Sequence, residues 1–378
     1  MLKFDSIRPF YDEEVSQALQ KLASHPMMKA IMEFTFPNLS AQEIDHKIRS
    51  IQSIQEFQAN IAYHAIRRIL EKSSEGLTVS GFEKLEKDTS YLFISNHRDI
   101  ILDTSILNIT LLDYGLVLTS SAVGDNLVKK QAIYILSKLN RNFLIQRNSS
   151  PRELLLSSKL VSEYINKLIT EDNRSVWIAQ REGRTKDGND ITQQGVLKMF
   201  AMGNDSDNLM AYFKKLRIVP MSISYEYDPT DMLKMPRLIA EANQEDYVKE
   251  KNEDFITLMS GIIGQKKRIH LHIGDVLDTE LDFIDTQFEG TNKQIQALAK
   301  TIDHAIISGY KLWPTNYIAY DLLHKGSKYS DKYTSKEKGL FERRLEMRIK
   351  EGGDFVRERF LYMYANPVIN KEKYEEFE

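Results

Sequence analysis

The chain has 378 residues, is 42% hydrophobic and carries a formal net charge of −3. That supplies one large core or two modest ones, and the charge balance gives no overall basic field to attract nucleic acid. Cysteine is absent, which excludes disulfides, thiolate metal sites and a cysteine nucleophile, and is compatible with a reducing compartment.

The opening residues MLKFDSIRPFYDEEV contain no apolar core of the signal-peptide kind. The longest uncharged runs, such as Tyr114 to Gly124, fall short of the ~20 residues that span a bilayer. The expectation is a soluble protein that at most rests on a membrane surface.

Residues 1–76 read as a helical domain. Ser40-Ala41-Gln42-Glu43 is a capping-box sequence, hydroxyl and carboxylate three apart. Ile44, Ile48, Ile51, Ile54, Ile61 and Ile69 then recur at helical spacing, which predicts one long helix to about Lys72, ending before Gly76. Residues 77–310 alternate short apolar runs with helices. The expected strands are Tyr91–Ser95, Leu116–Thr119, Phe143–Gln146, Val176–Ala179, Ile218–Ser224 and Ile269–Ile273. A helix over Arg152–Thr170 opens with a second capping box, Ser150-Pro151-Arg152-Glu153, with proline at its first position. The alternation predicts an α/β fold, a central mostly parallel or mixed sheet flanked by helices.

Residues 311–378 form a helical C-terminal extension. Phe341, Leu345 and Ile349 recur at i, i+4, i+8 among Arg343, Arg344, Arg348 and Lys350. Such a basic amphipathic helix fits a membrane surface; docking on the protein's own core is the plainer reading.

The stretch SNHRDIILDTS, residues 95–105, carries the chemistry. Its H-R-D tripeptide matches a protein-kinase catalytic loop, which needs an Asn five residues beyond the Asp. Counting from Asp99, that position is Thr104, and neither G-x-G-x-x-G nor D-F-G occurs in the chain. The kinase reading fails on all three counts.

A histidine backed by a carboxylate suits acyl transfer to an alcohol. One base must take the hydroxyl proton as the oxygen attacks a thioester carbonyl. An imidazole does this near neutral pH, and a carboxylate behind it sets its tautomer and stabilises the imidazolium. His97 follows the strand YLFIS and so stands at the sheet edge, where α/β sites collect. Asp99 reads as the N-cap of a helix beginning at Ile100, with Asp103 about one turn inside and able to reach back to His97. Asp99 is kept as the alternative catalytic carboxylate.

With four blocks in order, the sequence resembles the glycerol-phosphate and lysophosphatidic acid acyltransferase superfamily across roughly residues 80–280. The family's N-H-x-x-x-x-D appears as Asn96-His97 and Asp103, with five intervening residues instead of four. Its F-I-x-R strand appears as FLIQR, ending at Arg147, with Arg141 where a glycine often stands. Its E-G-T-R-S-R-x-G appears as EGRTKDG, Glu182 to Gly188, one residue shorter. Its strand containing I/V-P-V appears as IVPMSIS around Pro220, followed by Tyr225-Glu226, which leans toward the glycerol-phosphate branch. RIHLHIGDVL is similar to a later strand, and the overall pattern resembles bacterial glycerol acyltransferase-like proteins with an N-terminal helical domain.

The resemblance implies His97 as general base and Asp103 as its partner. It implies Arg147, Glu182, Gly183, Arg184 and Lys186 as substrate-binding residues, the cations gripping an acceptor phosphate. Arg181 could stand in for Arg184 or Lys186. Each has a plainer counterpart: a loop-bonded histidine, a carboxylate at a helix start, solvated loop cations, a structural salt bridge for Glu182. The resemblance further implies no metal cofactor, and an acyl thioester of coenzyme A or acyl carrier protein as co-substrate. The acceptor is then a glycerol-phosphate or lysophosphatidate hydroxyl. Phospholipid synthesis implies a cytoplasmic protein, peripheral on the inner face of the cell membrane.

Two rivals stand beside this: an amine or amino-alcohol lipid precursor as acceptor, and a catalytically silent lipid-binding protein, to which the extra residue before Asp103 could lead. A thioesterase, with water in place of the acceptor, is a third. His270 and His272 share one face of a strand and could pair on a metal, but no third ligand is evident, so a structural role is expected. Trp177 reads as core or pocket wall.

Overall fold

The computed structural model describes residues 3–147, 150–204, 206–349 and 353–375. The N-terminal helices are α1 (Asp12–Ala23), α2 (Pro26–Thr35), α3 (Ala41–Ser50), a single turn α4 (Ile54–Phe57), a π-helical segment over Gln58–Ala62, and α5 (Tyr63–Ser73). Ser40 caps α3 in the expected way, its hydroxyl accepting from the Glu43 amide while Glu43 accepts from the Ser40 amide at 2.7 Å. The one long helix expected here is broken. Ile51 turns extended (φ −75°, ψ 122°), and Ser53 starts a new helix by accepting from the Glu56 amide at 3.1 Å. The break puts both Ile51 and Ile54 into the core formed with α1 and α2, so burial overrides a continuous helical period.

The chain continues through β1 (Ser74–Ser80), β2 (Leu92–Ser95), α6 (Leu102–Tyr114), β3 (Thr119–Gly124), α7 (Gln131–Leu139), β4 (Asn142–Ile145), α8 (Pro151–Thr170) and β5 (Ser175–Ala179). Then come α9 (Gln194–Ala201), α10 (Leu209–Lys215), β6 (Ile218–Tyr225), α11 (Asp231–Ala242), α12 (Glu253–Ile263) and β7 (Lys267–Ile273). The helices α13 (Asp278–Gln287), α14 (Thr291–Ser308), α15 (Pro314–Leu323), α16 (Ser335–Ile349) and α17 (Gly353–Glu375) complete the described chain.

The strands form one seven-stranded sheet in the order β1-β7-β6-β2-β5-β3-β4. β6, β2, β5, β3 and β4 are mutually parallel; β7 pairs antiparallel with β6, and β1 pairs parallel with β7. The fold is α/β with a mixed sheet, as expected. Two strands differ from the sequence reading. β3 begins at Thr119 because Leu116 is taken by the end of α6: Gly115 is left-handed (φ 66°) and the Leu116 amide bonds back to the Leu111 carbonyl at 2.9 Å. β1, sequence SEGLTVS, was not foreseen; it is an edge strand whose ladder comes wholly from β7.

Side chains alternate along β2 and divide the interior. Leu92 and Ile94 join residues of α8, α9, α10, α13 and α14 on one face, and Phe93 joins residues of α5 and α6 on the other. At the C-terminal end, Phe341 and Leu345 of α16 are fully buried against Phe360 and Tyr364 of α17. That helix is docked on its own core. The parallel run of β6, β2, β5, β3 and β4 brings their carboxyl ends to one edge, with His97, Arg147, residues 181–186 and Tyr225 along it.

Candidate active site

β2 is buried throughout, and its end is clipped to β6 by Asn96, a fully buried side chain. Asn96 Oδ1 accepts from the Ile223 amide at 2.9 Å and Nδ2 donates to the Ile223 carbonyl at 3.0 Å. The next residue is therefore held in place by a central strand pair. His97 Nδ1 lies 2.8 Å from Asp103 Oδ2.

The extra residue between the two is absorbed by the turn over residues 98–101, which wraps the carboxylate. Asp103 Oδ2 also accepts from the Arg98 amide at 2.6 Å and the Asp99 amide at 3.0 Å, and Oδ1 accepts from the Tyr225 hydroxyl at 2.9 Å. Four donors compensate a carboxylate that is wholly removed from solvent. An ionised Asp103 only accepts, so Nδ1 carries the imidazole proton and Nε2 keeps its lone pair. The His97 ring is 13% exposed, lines the large cavity, and stands edge-on to Trp177 with centroids 5.3 Å apart. Trp177 is fixed in turn by its indole N–H, 2.9 Å from Ser95 Oγ.

Asp99 turns away from the imidazole. Its Oδ1 accepts from the Ile101 and Leu102 amides at 2.9 and 2.8 Å, capping α6, which starts at Leu102 and not at Ile100. Its Oδ2 packs against Gly261 of α12. Burial first, and then the Asp103 charge, raise its proton affinity. Of the two carboxylates, Asp103 is the one on His97.

The cations collect beside this pair. Arg147 follows β4; its amide donates to Asp125 Oδ1 at 3.1 Å and its guanidinium pairs with Glu182. The loop after β5 is tied to the histidine by the Thr185 amide on the His97 carbonyl, 3.0 Å. Gly183 has φ 69°, the left-handed conformation that a side chain would strain. Arg184 donates to Thr230 Oγ1 at 3.2 Å. Lys186 is half-buried, and burial together with Arg237, Arg184, Lys234 and Arg181 lowers its pKa to about 7. Burial and the like charges both disfavour its ammonium form.

The cavity has a volume of about 1780 Å³, above the ~300–1,000 Å³ of ordinary small-molecule pockets. Arg147, Arg184, Lys186 and Arg237 line its polar part; Ile31, Ile66, Ile109, Leu112, Leu258 and Ile262 line an apolar part between α2, α5, α6 and α12. No family model and no curated protein sequence matches the chain. Among solved structures it is similar to the 1-acyl-sn-glycerophosphate (LPA) acyltransferase PlsC from Thermotoga maritima. The identity is 13%, over 76% of this chain and 91% of that one, with a TM-score of 0.37. That is a remote likeness. The residues themselves carry the reading.

Several members of the site were not picked out in the sequence. Arg98 makes a buried fork with Asp190, 3.0 and 2.5 Å, and Asp190 also takes the Tyr310 hydroxyl. Lys234 and Arg237 come from α11, and Lys234 is buried on Asp228. In the sequence Tyr225 stands out only through the resemblance around Pro220. No local pattern flags Arg98 or Tyr225, whose partners are distant in sequence, and the Lys234–Asp228 pair becomes part of the site only where packing buries it there. Among the described residues no group of three or more His, Asp or Glu could hold a metal ion. His270 and His272 instead share Ser80 Oγ, at 3.1 and 2.8 Å.

Proposed function

We propose that this protein transfers an acyl group from a thioester, of coenzyme A or acyl carrier protein, to a hydroxyl of a glycerol-phosphate or lysophosphatidate acceptor in phospholipid synthesis. The observation that carries the reading is one arrangement: an imidazole with its partner carboxylate at 2.8 Å, at a cavity with cations on one side and apolar walls on the other.

His97 Nε2 takes the acceptor hydroxyl proton as the oxygen attacks the thioester carbonyl. Asp103 stabilises the imidazolium, which then delivers the proton to the leaving thiolate as the carbon–sulfur bond breaks. No covalent enzyme intermediate forms. Arg147, Arg184 and Lys186 hold the acceptor phosphate, Gly183 brings backbone close to it, and Glu182 orients Arg147. The apolar walls take the acyl chain, whose burial contributes about 0.8 kcal/mol per methylene. The intact His97–Asp103 pair, kept in spite of the lengthened spacing, supports the enzymatic reading over a silent lipid-binding scaffold.

The test uses the absence of cysteine. Purified protein is mixed with a long-chain acyl-coenzyme A and glycerol 3-phosphate, and free thiol is followed with a thiol reagent. Acceptor-dependent release, lost in His97→Ala, is the expected result. Release that ignores the acceptor would mean hydrolysis. Absence of release with coenzyme A and carrier-protein donors, over phosphate and amino-alcohol acceptors alike, would overturn the reading.

A further inference from the structure

α12 is seated on the protein by its small residues. Its only buried positions are Thr257 and Gly261, and Gly261 lies so close to Asp99 that a Cβ there would stand 2.0 Å from Oδ2. The large apolar side chains point elsewhere. Phe255, Leu258, Met259, Ile262 and Ile263 line the cavity that contains His97. Ile256, Met259 and Ile263, at i, i+3 and i+7, form a stripe that is 49%, 38% and 70% exposed, its last two members bordering the cavity as well. Val248, just before the helix, is 81% exposed, and Phe34 of α2, another lining residue, is 42% exposed. No ionisable residue interrupts Phe255 to Gly264.

A helix apolar on both sides belongs in a core or in lipid, and a contiguous exposed apolar stripe marks an interaction surface. A folded protein partner would need polar groups to set its register on the stripe. Thr257 is buried, and Ser260 is the only other polar residue in the run. The charge of the cavity that it borders points to lipid. Among the described residues, nine Lys and Arg but only five Asp and Glu line the cavity, on a chain whose net charge is −3. An apolar stripe beside an excess of cations matches the two layers of an anionic bilayer, hydrocarbon and phosphate.

We propose that α12 docks the protein on an anionic lipid bilayer. Ile256, Met259 and Ile263 enter the interface, and the cavity opens beside them, so that a lipid chain passes between bilayer and cavity without crossing water. The docking stands on the surface of α12; only the passage of the chain rests on the acyl-transfer reading.

Flotation with vesicles tests it, using phosphatidylcholine alone and phosphatidylcholine mixed with phosphatidylglycerol. The protein floats with the mixed vesicles, and Ile256→Glu with Ile263→Glu weakens this at least ~10-fold, since two apolar side chains lose their burial. Both positions are exposed, so the fold tolerates the change. The lack of cysteine allows a second readout: Ile263→Cys, labelled with an environment-sensitive dye, shifts to the blue on mixed vesicles. Lys300→Cys, on α14 over the other face of the sheet, does not. Absence of flotation, equal flotation of the glutamate variant, or an equal shift at both labels would overturn the proposal. Acyl transfer to a water-soluble short-chain substrate is measured in parallel. Docking without transfer sustains this inference and counts against the enzymatic reading; transfer without docking does the reverse.

Discussion

The Tyr225 hydroxyl, at the end of β6, donates to Asp103 Oδ1 at 2.9 Å, on the oxygen that His97 does not use. Burial above all, and then the Asp103 and Asp99 charges, push the phenol well above its ordinary pKa, so it stays a donor across the working pH range. Tyr225 thus fixes the rotamer that aims the other oxygen at the imidazole.

Tyr225→Phe should lower kcat about 10-fold with KM little changed. The buried carboxylate then lacks one donor, at a cost of about 1–3 kcal/mol of stability. Asp103→Asn should act more severely, ~10³-fold or more on kcat, because an amide permits the wrong imidazole tautomer. Steady-state kinetics with thermal unfolding checks both; an unaffected kcat in Tyr225→Phe removes the residue from the positioning role.

Lys186 makes a pH-dependent prediction. Its pKa is about 7 in the folded protein against 10.5 for a free lysine, chiefly from burial and then from Arg237, Arg184, Lys234 and Arg181. Between these values the unfolded chain holds the extra proton, so this group's contribution to stability rises with pH; its penalty is fully present below pH 7. Lys186→Gln should therefore raise the unfolding midpoint by roughly 2 °C below neutral pH. It should also remove most of the midpoint gain given by added glycerol 3-phosphate. An undiminished gain would place the anion elsewhere.

Gly261→Ala tests the seating of α12. The added Cβ meets Asp99 Oδ2 at 2.0 Å, and the carboxylate cannot retreat without releasing the Ile101 and Leu102 amides. A loss of about 1–3 kcal/mol is expected, with faster hydrogen exchange confined to α12 and the start of α6. Wild-type exchange there would show that the helix does not bear on Asp99.

Arg98→Met leaves Asp190 buried without its cation, while Asn96 and Tyr310 still contact it. Such a loss costs about 3–5 kcal/mol, and the loop carrying Arg184 and Lys186 loses a strut. Chemical denaturation measures the first effect, and the KM for the phosphate acceptor should rise with it.

What the sequence by itself determined rests on interactions within a few residues. The capping boxes at Ser40 and Ser150 are seen in place because donor and acceptor are three residues apart. β2, β5 and β6 were legible as apolar runs because the centre of a sheet covered on both faces admits little else. His97 and Arg147 were legible as strand-end residues, and so was their common edge.

Tertiary structure decided the rest, through partners far along the chain. β1 is a strand because Thr78 stands opposite His270 of β7. The helix after Ser40 breaks because Ile51 and Ile54 are both drawn into the core. Asp103 rather than Asp99 reaches the imidazole because the Arg98 and Asp99 amides and the distant Tyr225 hydroxyl converge on it, while the Ile101 and Leu102 amides hold Asp99. Lys186 acquires its perturbed charge from burial and then from Arg237 and Lys234 on α11 together with Arg184 and Arg181, and the exposed apolar stripe of α12 gains its meaning only from the cavity that it borders. Periodicity reports which residues avoid water; which neighbour shields them, and at what distance, is a property of the packed chain.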